Sequence, residues 1–277
     1  MPERIALTID TPAGARTASL TYERRGAGEP LLLLHGIGHH WQAWEPVLDI
    51  LATERDVIAV DLPGFGASDE LPDGCPYDLS TVGSVLGAFC EALGVERPHV
   101  AGNSLGGLLA LQLGLEKAVR SVTALSPAGF WSEGERRYAF TTLRAMRGAA
   151  RSMPLPVIGL LSRTPAGRAV LTSSIYARPG RRSPEAVHAE TLALRGATGF
   201  RQTLAAGGNV RFRDDVSDVP VTVAWGTRDR LLLPRQGVRA KHTIPGARLV
   251  RLPGCGHVPM SDDPALVARV VLDGSRD

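Results

Sequence analysis

The chain has 277 residues, enough to bury a large core in one domain or in one domain with an insertion. Hydrophobic residues make up 44% and charged residues 21%, and a formal net charge of +3 is too small to indicate a nucleic-acid partner. Three widely spaced cysteines match neither a disulfide framework nor a metal-binding motif. Without a signal-peptide pattern or an apolar run of membrane-spanning length, the sequence predicts a cytoplasmic protein.

Strand and helix patterns alternate through the first half of the chain. Two segments with alternating polarity, Arg4–Asp10 and Thr17–Arg24, predict an antiparallel hairpin at a sheet edge. Later apolar runs are typical of strands buried on both faces, and segments with helical spacing separate them. These strands are Leu31–Leu34, Asp56–Val60, His99–Ala101 and Val119–Leu125, and the helices are Trp41–Leu51, Ser80–Leu93 and Leu105–Leu115. The alternation predicts a mostly parallel sheet with helices on both faces.

Residues 130–215 interrupt the alternation with helical patterns alone. The predicted helices are Glu133–Arg147, Pro165–Tyr176, Pro184–Arg195 and Thr198–Ala206. We therefore expect a helical cap at 130–215, inserted into a core formed by residues 1–129 and 216–277. The cap holds 14 arginines against 6 acidic residues, which fits a solvated helix surface better than a lid that attracts anions.

The last part of the chain returns to the alternating pattern. Predicted strands cover Pro220–Trp225 and Ala247–Leu252, with a helix over Arg235–His242 between them and a final helix over Asp263–Leu272.

A glycine-framed serine stands where a predicted strand joins a predicted helix. The segment Gly102-Asn103-Ser104-Leu105-Gly106 fits the pattern G-x-S-x-G. Such a turn is sharp, so the residues two before and two after the serine need to lack side chains. The helix start also directs backbone N–H groups towards developing negative charge. The pattern therefore predicts that Ser104 is a nucleophile.

A serine nucleophile needs a base, and the base needs an orienting acid. His257 follows a predicted strand in a Gly/Pro-rich loop, whereas His35 reads as a structural residue beneath a loop. Asp229 also follows a predicted strand, and the preceding strand ends in Ser126 rather than a carboxylate. The order Ser104, Asp229, His257 is the chain order expected for this catalytic arrangement.

Two backbone N–H groups are needed to stabilise the oxyanion that forms during attack. The first is the amide of Leu105, directly after the predicted nucleophile. The second should come from the loop that follows Leu34, and we assign it to the amide of Ile37.

Together these segments resemble α/β-hydrolase fold enzymes that carry a helical cap. The matching motifs, in family order, are HGIG at 35–38, DLPGFGASD at 61–69, GNSLGG at 102–107, WGTRD at 225–229 and GCGH at 254–257. The resemblance implies an eight-stranded, mostly parallel sheet with helices on both faces and a Ser104–Asp229–His257 triad. It also implies that neither a metal nor an organic cofactor takes part.

The serine narrows the chemistry that the resemblance implies. Family members similar to haloalkane dehalogenases or epoxide hydrolases carry an aspartate at this position, whereas Ser104 favours hydrolysis of an ester, lactone or thioester through an acyl-enzyme. Carbon–carbon hydrolysis of the meta-cleavage-product type is an alternative, although Gly38-His39-His40 departs from the Gly-Pro-Gly usual there. A cofactor-free perhydrolase or acyltransferase, and a small-molecule receptor on the same fold, are further alternatives.

The predicted pocket wall is mostly apolar and suits a small, apolar, ester-like substrate. Its candidate residues are His39, Trp131, Phe140, Leu231, Val258 and Met260. The sequence predicts neither the acyl size nor the oligomeric state.

Overall fold

A computed structural model describes residues 2–11 and 14–276 of the chain. Its strands are β1 (Glu3–Thr11), β2 (Gly14–Arg25), β3 (Glu29–Leu34), β4 (Arg55–Val60), β5 (His99–Asn103), β6 (Val122–Leu125), β7 (Val221–Gly226) and β8 (Arg248–Leu252). They form one eight-stranded sheet in the order β1-β2-β4-β3-β5-β6-β7-β8. The pairs β1–β2 and β2–β4 are antiparallel, and all the other neighbours are parallel. The predicted mostly parallel sheet with an antiparallel edge hairpin is confirmed.

Ten α-helices accompany the sheet in the described ranges. They are α1 (Glu45–Leu51), α2 (Leu79–Ala92), α3 (Leu105–Leu115), α4 (Glu133–Ser152), α5 (Leu155–Arg163), α6 (Pro165–Thr172), α7 (Pro184–Gly196), α8 (Phe200–Ala206), α9 (Arg235–Thr243) and α10 (Pro264–Gly274). Short 3-10 turns cover Trp41–Trp44, Pro179–Arg181, Gly207–Asn209 and Pro259–Ser261. Helix α1 packs against α10, and α2 packs against α3, so two helical layers cover the sheet.

The centre of the sheet is buried because its strands consist almost entirely of apolar residues. Residues Leu31–Leu34 of β3 are at most 1% exposed, and all six residues of β7 are buried. Strands covered on both faces in this way read as continuous apolar runs rather than as alternating ones. The apolar runs therefore predicted the central strands well.

Helices α2 and α5 both differ from the predictions. The predicted start of α2 was Ser80, but the helix begins at Leu79, because the Asp78 side chain caps it by accepting a hydrogen bond of 2.8 Å from the Thr81 amide. Helix α5 was not predicted at all. Pro156 lies in the first turn of α5, where a helix has no use for the backbone N–H that proline lacks.

Helices α4–α8 lie between β6 and β7 in the chain, and we call them the inserted helices. Glu135 of α4 forms ion pairs with Arg235 and Arg239 of α9, which fix the start of the insertion to the core. The Trp131 indole N–H donates to the Val210 carbonyl at 3.0 Å and joins the two ends of the insertion. The division of the chain into a cap at 130–215 and a core stays a prediction. None of the helices within 2–11 and 14–276 combines the length and apolarity that crossing a membrane requires.

Replacing Leu33 with alanine should destabilise the protein by about 2–5 kcal/mol, because Leu33 is fully buried in β3 and its loss leaves a cavity. The measurement is the free energy of unfolding from urea titration. Leu160→Ala is the matched control, since Leu160 is 64% exposed and its loss should cost about 0.5 kcal/mol or less. Equal losses in the two variants would contradict the burial of β3.

Candidate active site

Ser104 occupies a strained turn between β5 and α3. Its backbone angles are φ 58° and ψ −112°, a conformation that a non-glycine residue rarely adopts. A Cβ atom at Gly102 would stand 2.0 Å from the Gly106 carbonyl oxygen, and one at Gly106 would stand 2.1 Å from the Leu34 carbonyl oxygen. Both glycines of the motif are therefore required by backbone contacts, and the turn projects Ser104 from the carboxyl end of β5.

The predicted base and acid are hydrogen-bonded to each other. His257 Nδ1 lies 2.8 Å from Asp229 Oδ2, and both residues are 3% exposed. The other carboxylate oxygen of Asp229 accepts the amides of Leu231 and Leu232 at 2.9 and 2.8 Å. With its carboxylate fixed in this way, Asp229 accepts from the Nδ1–H tautomer of His257 and leaves Nε2 free to take a proton.

Ser104 and His257 line the same cavity. The side-chain Nδ2 of Asn103, next to the serine, donates to the His257 carbonyl at 2.9 Å and to the Leu125 carbonyl at 3.1 Å, which ties the histidine loop to β5 and β6. A hydrogen bond from Ser104 Oγ to His257 is not among those formed within the described residues. Such bonds are often long in unliganded sites and shorten when substrate binds.

The loop after β3 passes over the serine. A Cβ atom at Gly36 would lie 3.2 Å from Ser104 Cβ, so a side chain at this position would crowd the serine and the close approach of the loop favours glycine. The amides of Ile37 and Leu105, the predicted oxyanion donors, make no hydrogen bond within the part of the chain that the structure describes. Both residues line a small cavity together with Ser104.

His35 fixes the conformation of the loop after β3 through hydrogen bonds of its buried ring. Its Nδ1 lies 2.7 Å from the Gly36 carbonyl oxygen, and its Nε2 accepts the Leu62 amide at 3.0 Å. The ring is fully buried, and burial lowers the pKa of His35 to about 3. His35 is therefore a neutral structural histidine, as its position after β3 indicated.

The main cavity has a volume of about 290 Å³ and lies between the core and the inserted helices. Of the predicted pocket residues, His39, Leu231 and Val258 line it. Trp131 and Phe140, with Leu231 again, line a smaller apolar cavity of about 50 Å³ that adjoins Ser104 and Leu105.

The pocket prediction for Met260 does not hold in this structure. Met260 lines neither cavity, and its side chain is fully buried in the hydrophobic core, within the 3-10 turn that follows the histidine loop. Proximity to His257 in sequence suggested the pocket, but the turn directs this side chain into the core.

Sequence reasoning missed a charged residue in the cavity wall. Glu190 of α7 lines the main cavity, is 6% exposed and contacts Arg182 and Tyr176. Its place in an amphipathic helix did not indicate a cavity position, because an acidic residue on such a helix normally faces solvent. Among the described residues, no group of three or more His, Cys, Asp or Glu side chains is placed to hold a metal ion.

The sequence profile of the alpha/beta hydrolase fold matches residues 29–264. This match covers most of the chain, and with the eight-stranded sheet it shows that the protein belongs to the α/β-hydrolase fold family. Membership in this family implies a hydrolase.

Relatives with different named activities are similar to this chain. The chain is 28% identical to Lipase 3 of a Moraxella species, over 84% of this chain and 73% of the lipase. It is also 28% identical to haloalkane dehalogenase 2 of Mycobacterium tuberculosis, over 91% of this chain and 90% of that protein. An esterase structure from Thermogutta terrifontis superimposes with a TM-score of 0.76 at 20% identity, covering 98% of this chain and 97% of the esterase. These likenesses agree on the fold and not on one reaction.

The neutral state of His35 should make the protein less stable in acid. The unfolded chain binds a proton at His35 below pH 6.5, whereas the folded chain binds it only near pH 3. The stability from His35 is thus complete above pH 6.5 and is lost as the pH falls, by about 2 kcal/mol between pH 7 and 5. His35→Gln should reduce the wild-type difference in unfolding free energy between these pH values by this amount, measured by urea titration.

The exposed His242 of α9 supplies the control for this experiment. His242→Gln should keep the wild-type dependence of unfolding free energy on pH. An unchanged dependence in His35→Gln would contradict the buried, neutral state of His35.

Proposed function

We propose that the protein is a serine hydrolase that cleaves a carboxylic ester, or a lactone or thioester, through an acyl-enzyme on Ser104. The observation that carries the proposal is the 2.8 Å contact between His257 and the buried Asp229, with His257 and Ser104 on one cavity wall. Serine on the strained turn, rather than the aspartate of dehalogenase-like members, supports acyl transfer. The lipase among its relatives is consistent with this substrate class.

In this mechanism His257 Nε2 takes the proton of Ser104 Oγ while Oγ attacks the carbonyl carbon. The carbonyl oxygen becomes an oxyanion that accepts hydrogen bonds from the Ile37 and Leu105 amides. One such donor contributes about 3 kcal/mol to stabilisation of the transition state. His257 then protonates the leaving alcohol, and afterwards it activates a water that releases the acid and regenerates Ser104.

The two cavities favour an apolar substrate of modest size. The larger cavity has walls from α4 and α6 that include Leu143, Met146 and Leu171, while the smaller one adds Trp131 and Phe140 beside the serine. Apolar walls around a few polar groups are typical of small-molecule sites. We assign the apolar part of the substrate to these walls, and residues 130–215 to a cap that closes over it.

Turnover separates this enzyme from a receptor on the same fold. A hydrolase should release 4-nitrophenol steadily from a short-chain 4-nitrophenyl ester, over many turnovers per protein molecule. A receptor that keeps its triad should give a single slow acylation event and then stop. Mass mapping after fluorophosphonate labelling should find the label on Ser104, and labelling elsewhere would refute the assignment of the nucleophile.

Ser104→Ala should lower ester turnover by about 10⁴-fold or more, because the variant lacks the attacking oxygen. The measurement is kcat for a 4-nitrophenyl ester, with circular dichroism to verify folding. Ser126→Ala is the matched control, since Ser126 is also a buried serine with positive φ at the carboxyl end of a strand. The control should keep its activity, and a near-native rate in Ser104→Ala would refute the proposal.

Asp229→Asn should lower kcat by about 10⁴-fold, because an amide no longer favours the imidazole tautomer that leaves Nε2 basic. His257→Ala should lower kcat by about 10³-fold or more for loss of the base. Asp218→Asn, at an exposed aspartate paired with Lys117, is the control and should leave kcat unchanged. A loss below tenfold in either catalytic variant would point to a different histidine or carboxylate.

A further inference from the structure

A buried cluster of polar residues stands in the wall of the main cavity, and we call Glu190, Arg182, Tyr176 and His39 the Glu190 cluster. The Tyr176 hydroxyl donates to Glu190 Oε2 at 3.0 Å, and Arg182 Nη1 contacts the same oxygen. The Arg182 guanidinium also stacks 3.9 Å from the centre of the Tyr176 ring. All four residues have side chains that are almost completely removed from solvent.

The other carboxylate oxygen of Glu190 is not satisfied in the same way. Oε1 accepts no hydrogen bond from the described residues, and His39 Nε2 stands 3.6 Å from it, too far for a hydrogen bond. An ionised carboxylate has about four lone-pair sites to fill. Since Glu190 lines the cavity that contains Ser104 and His257, the wall holds acceptor capacity that the protein does not use.

His39 Nδ1 has no hydrogen-bond partner among the described residues, but the hydroxyl groups of the cavity wall outside the catalytic residues are already bonded to the protein. The hydroxyls of Thr172 and Thr191 donate to helix carbonyls one turn back, at 2.8 and 2.7 Å. The Ser174 hydroxyl contacts the Met146 sulfur at 3.5 Å. Away from the catalytic residues, the carboxylate of Glu190 is thus the strongest acceptor that the described wall offers to a ligand.

The charges of the cluster favour a neutral ligand group. Burial by itself raises the pKa of Glu190, but the charge of the Arg182 guanidinium and the hydrogen bonds from Arg182 and Tyr176 outweigh it and hold the pKa below its usual value. Burial lowers the pKa of His39, so this imidazole is neutral. One carboxylate and one guanidinium then cancel, and a second cation would meet the repulsion of Arg182.

We propose that Glu190 is a specificity-determining residue whose Oε1 accepts a hydrogen bond from a neutral donor on the substrate. The substrate class is an ester with an apolar acyl chain that carries one hydroxyl or amide N–H. This inference rests on the proposed function of Ser104 for the reaction, and on the Glu190 cluster for the choice of substrate. A site built to bond a substrate hydroxyl rejects analogues without it, because its own polar group is then left unpaired.

The first experiment compares kcat/KM for 4-nitrophenyl hexanoate with that for its 3-hydroxy and 6-hydroxy derivatives. The wild type should prefer at least one hydroxy ester by roughly tenfold or more. Glu190→Gln should lose most of this preference, so that its kcat/KM for the hydroxy esters falls towards its own value for hexanoate, because the neutral amide is a weaker acceptor. Thr191→Val is the matched control, a neighbouring cavity residue whose hydroxyl is already bonded, and it should keep the wild-type preference.

A second variant keeps the test valid if Glu190→Gln does not fold. The pair Glu190→Leu with Arg182→Met removes both charges together, which avoids an unpaired buried guanidinium. This double variant should hydrolyse hexanoate and show no preference for a hydroxyl. A wild type with equal kcat/KM for all three esters would overturn the inference. An equal loss towards all three esters in Glu190→Gln would overturn it too, because that result reports a structural role only.

Binding without chemistry separates failure of this inference from failure of the proposed reaction. Titration calorimetry compares hexanamide with 3-hydroxy-, 6-hydroxy- and 6-aminohexanamide. Tighter binding of a hydroxyamide, lost in Glu190→Gln, supports the inference even if no ester is turned over and the proposed reaction fails. Equal binding of hexanamide and both hydroxyamides overturns it, and so does tighter binding of the amino compound, which would assign a cation to the site.

Discussion

A close backbone contact between α3 and the ends of β3 and β5 determines the geometry of the site. A Cβ atom at residue 106 would stand 2.1 Å from the Leu34 carbonyl oxygen, so α3 can approach the end of β3 this closely only with glycine at 106. With α3 this close to the sheet, Ser104 adopts a positive φ, and the loop at Gly36 packs against the serine. One packing contact thus places both the serine and the loop that carries the Ile37 amide.

The inserted helices are bonded directly to the loop that carries His257. Asp262 accepts the Gly256 amide at 2.8 Å and the amides of Ala177 and Arg178 at 3.1 and 3.0 Å. The Val258 amide donates to the Ile175 carbonyl at 3.1 Å. The segment between α6 and α7 is therefore hydrogen-bonded to both flanks of the loop that carries His257. Tyr176 of this segment donates to Glu190 of α7. The wall that we assign to substrate selection is therefore connected to the histidine loop by hydrogen bonds.

Local signals account for what could be predicted. Continuous apolar runs identified the central strands, and the glycines around Ser104 identified the strand-to-helix turn, because each signal depends on neighbours in sequence. The missed helix α5 shows a limit of this reasoning, since Pro156 ends a helix in most positions and is tolerated in a first turn. The pocket assignment of Met260 shows another limit, because the direction of a side chain after a loop depends on the turn geometry.

The sequence by itself determined the family, the order of the strands and of all the helices except α5 along the chain, and the three residues proposed for catalysis, since these follow from short motifs and their order. Only the tertiary structure decided which side chains share the cavity and which bonds their polar atoms make. Glu190 of α7, Tyr176 and Arg182 of the segment between α6 and α7, and His39 of the loop after β3 are brought together by the fold. No local sequence pattern predicts the contacts among these four residues. Burial and charge pairing between residues distant in sequence arise only when the inserted helices pack onto the core.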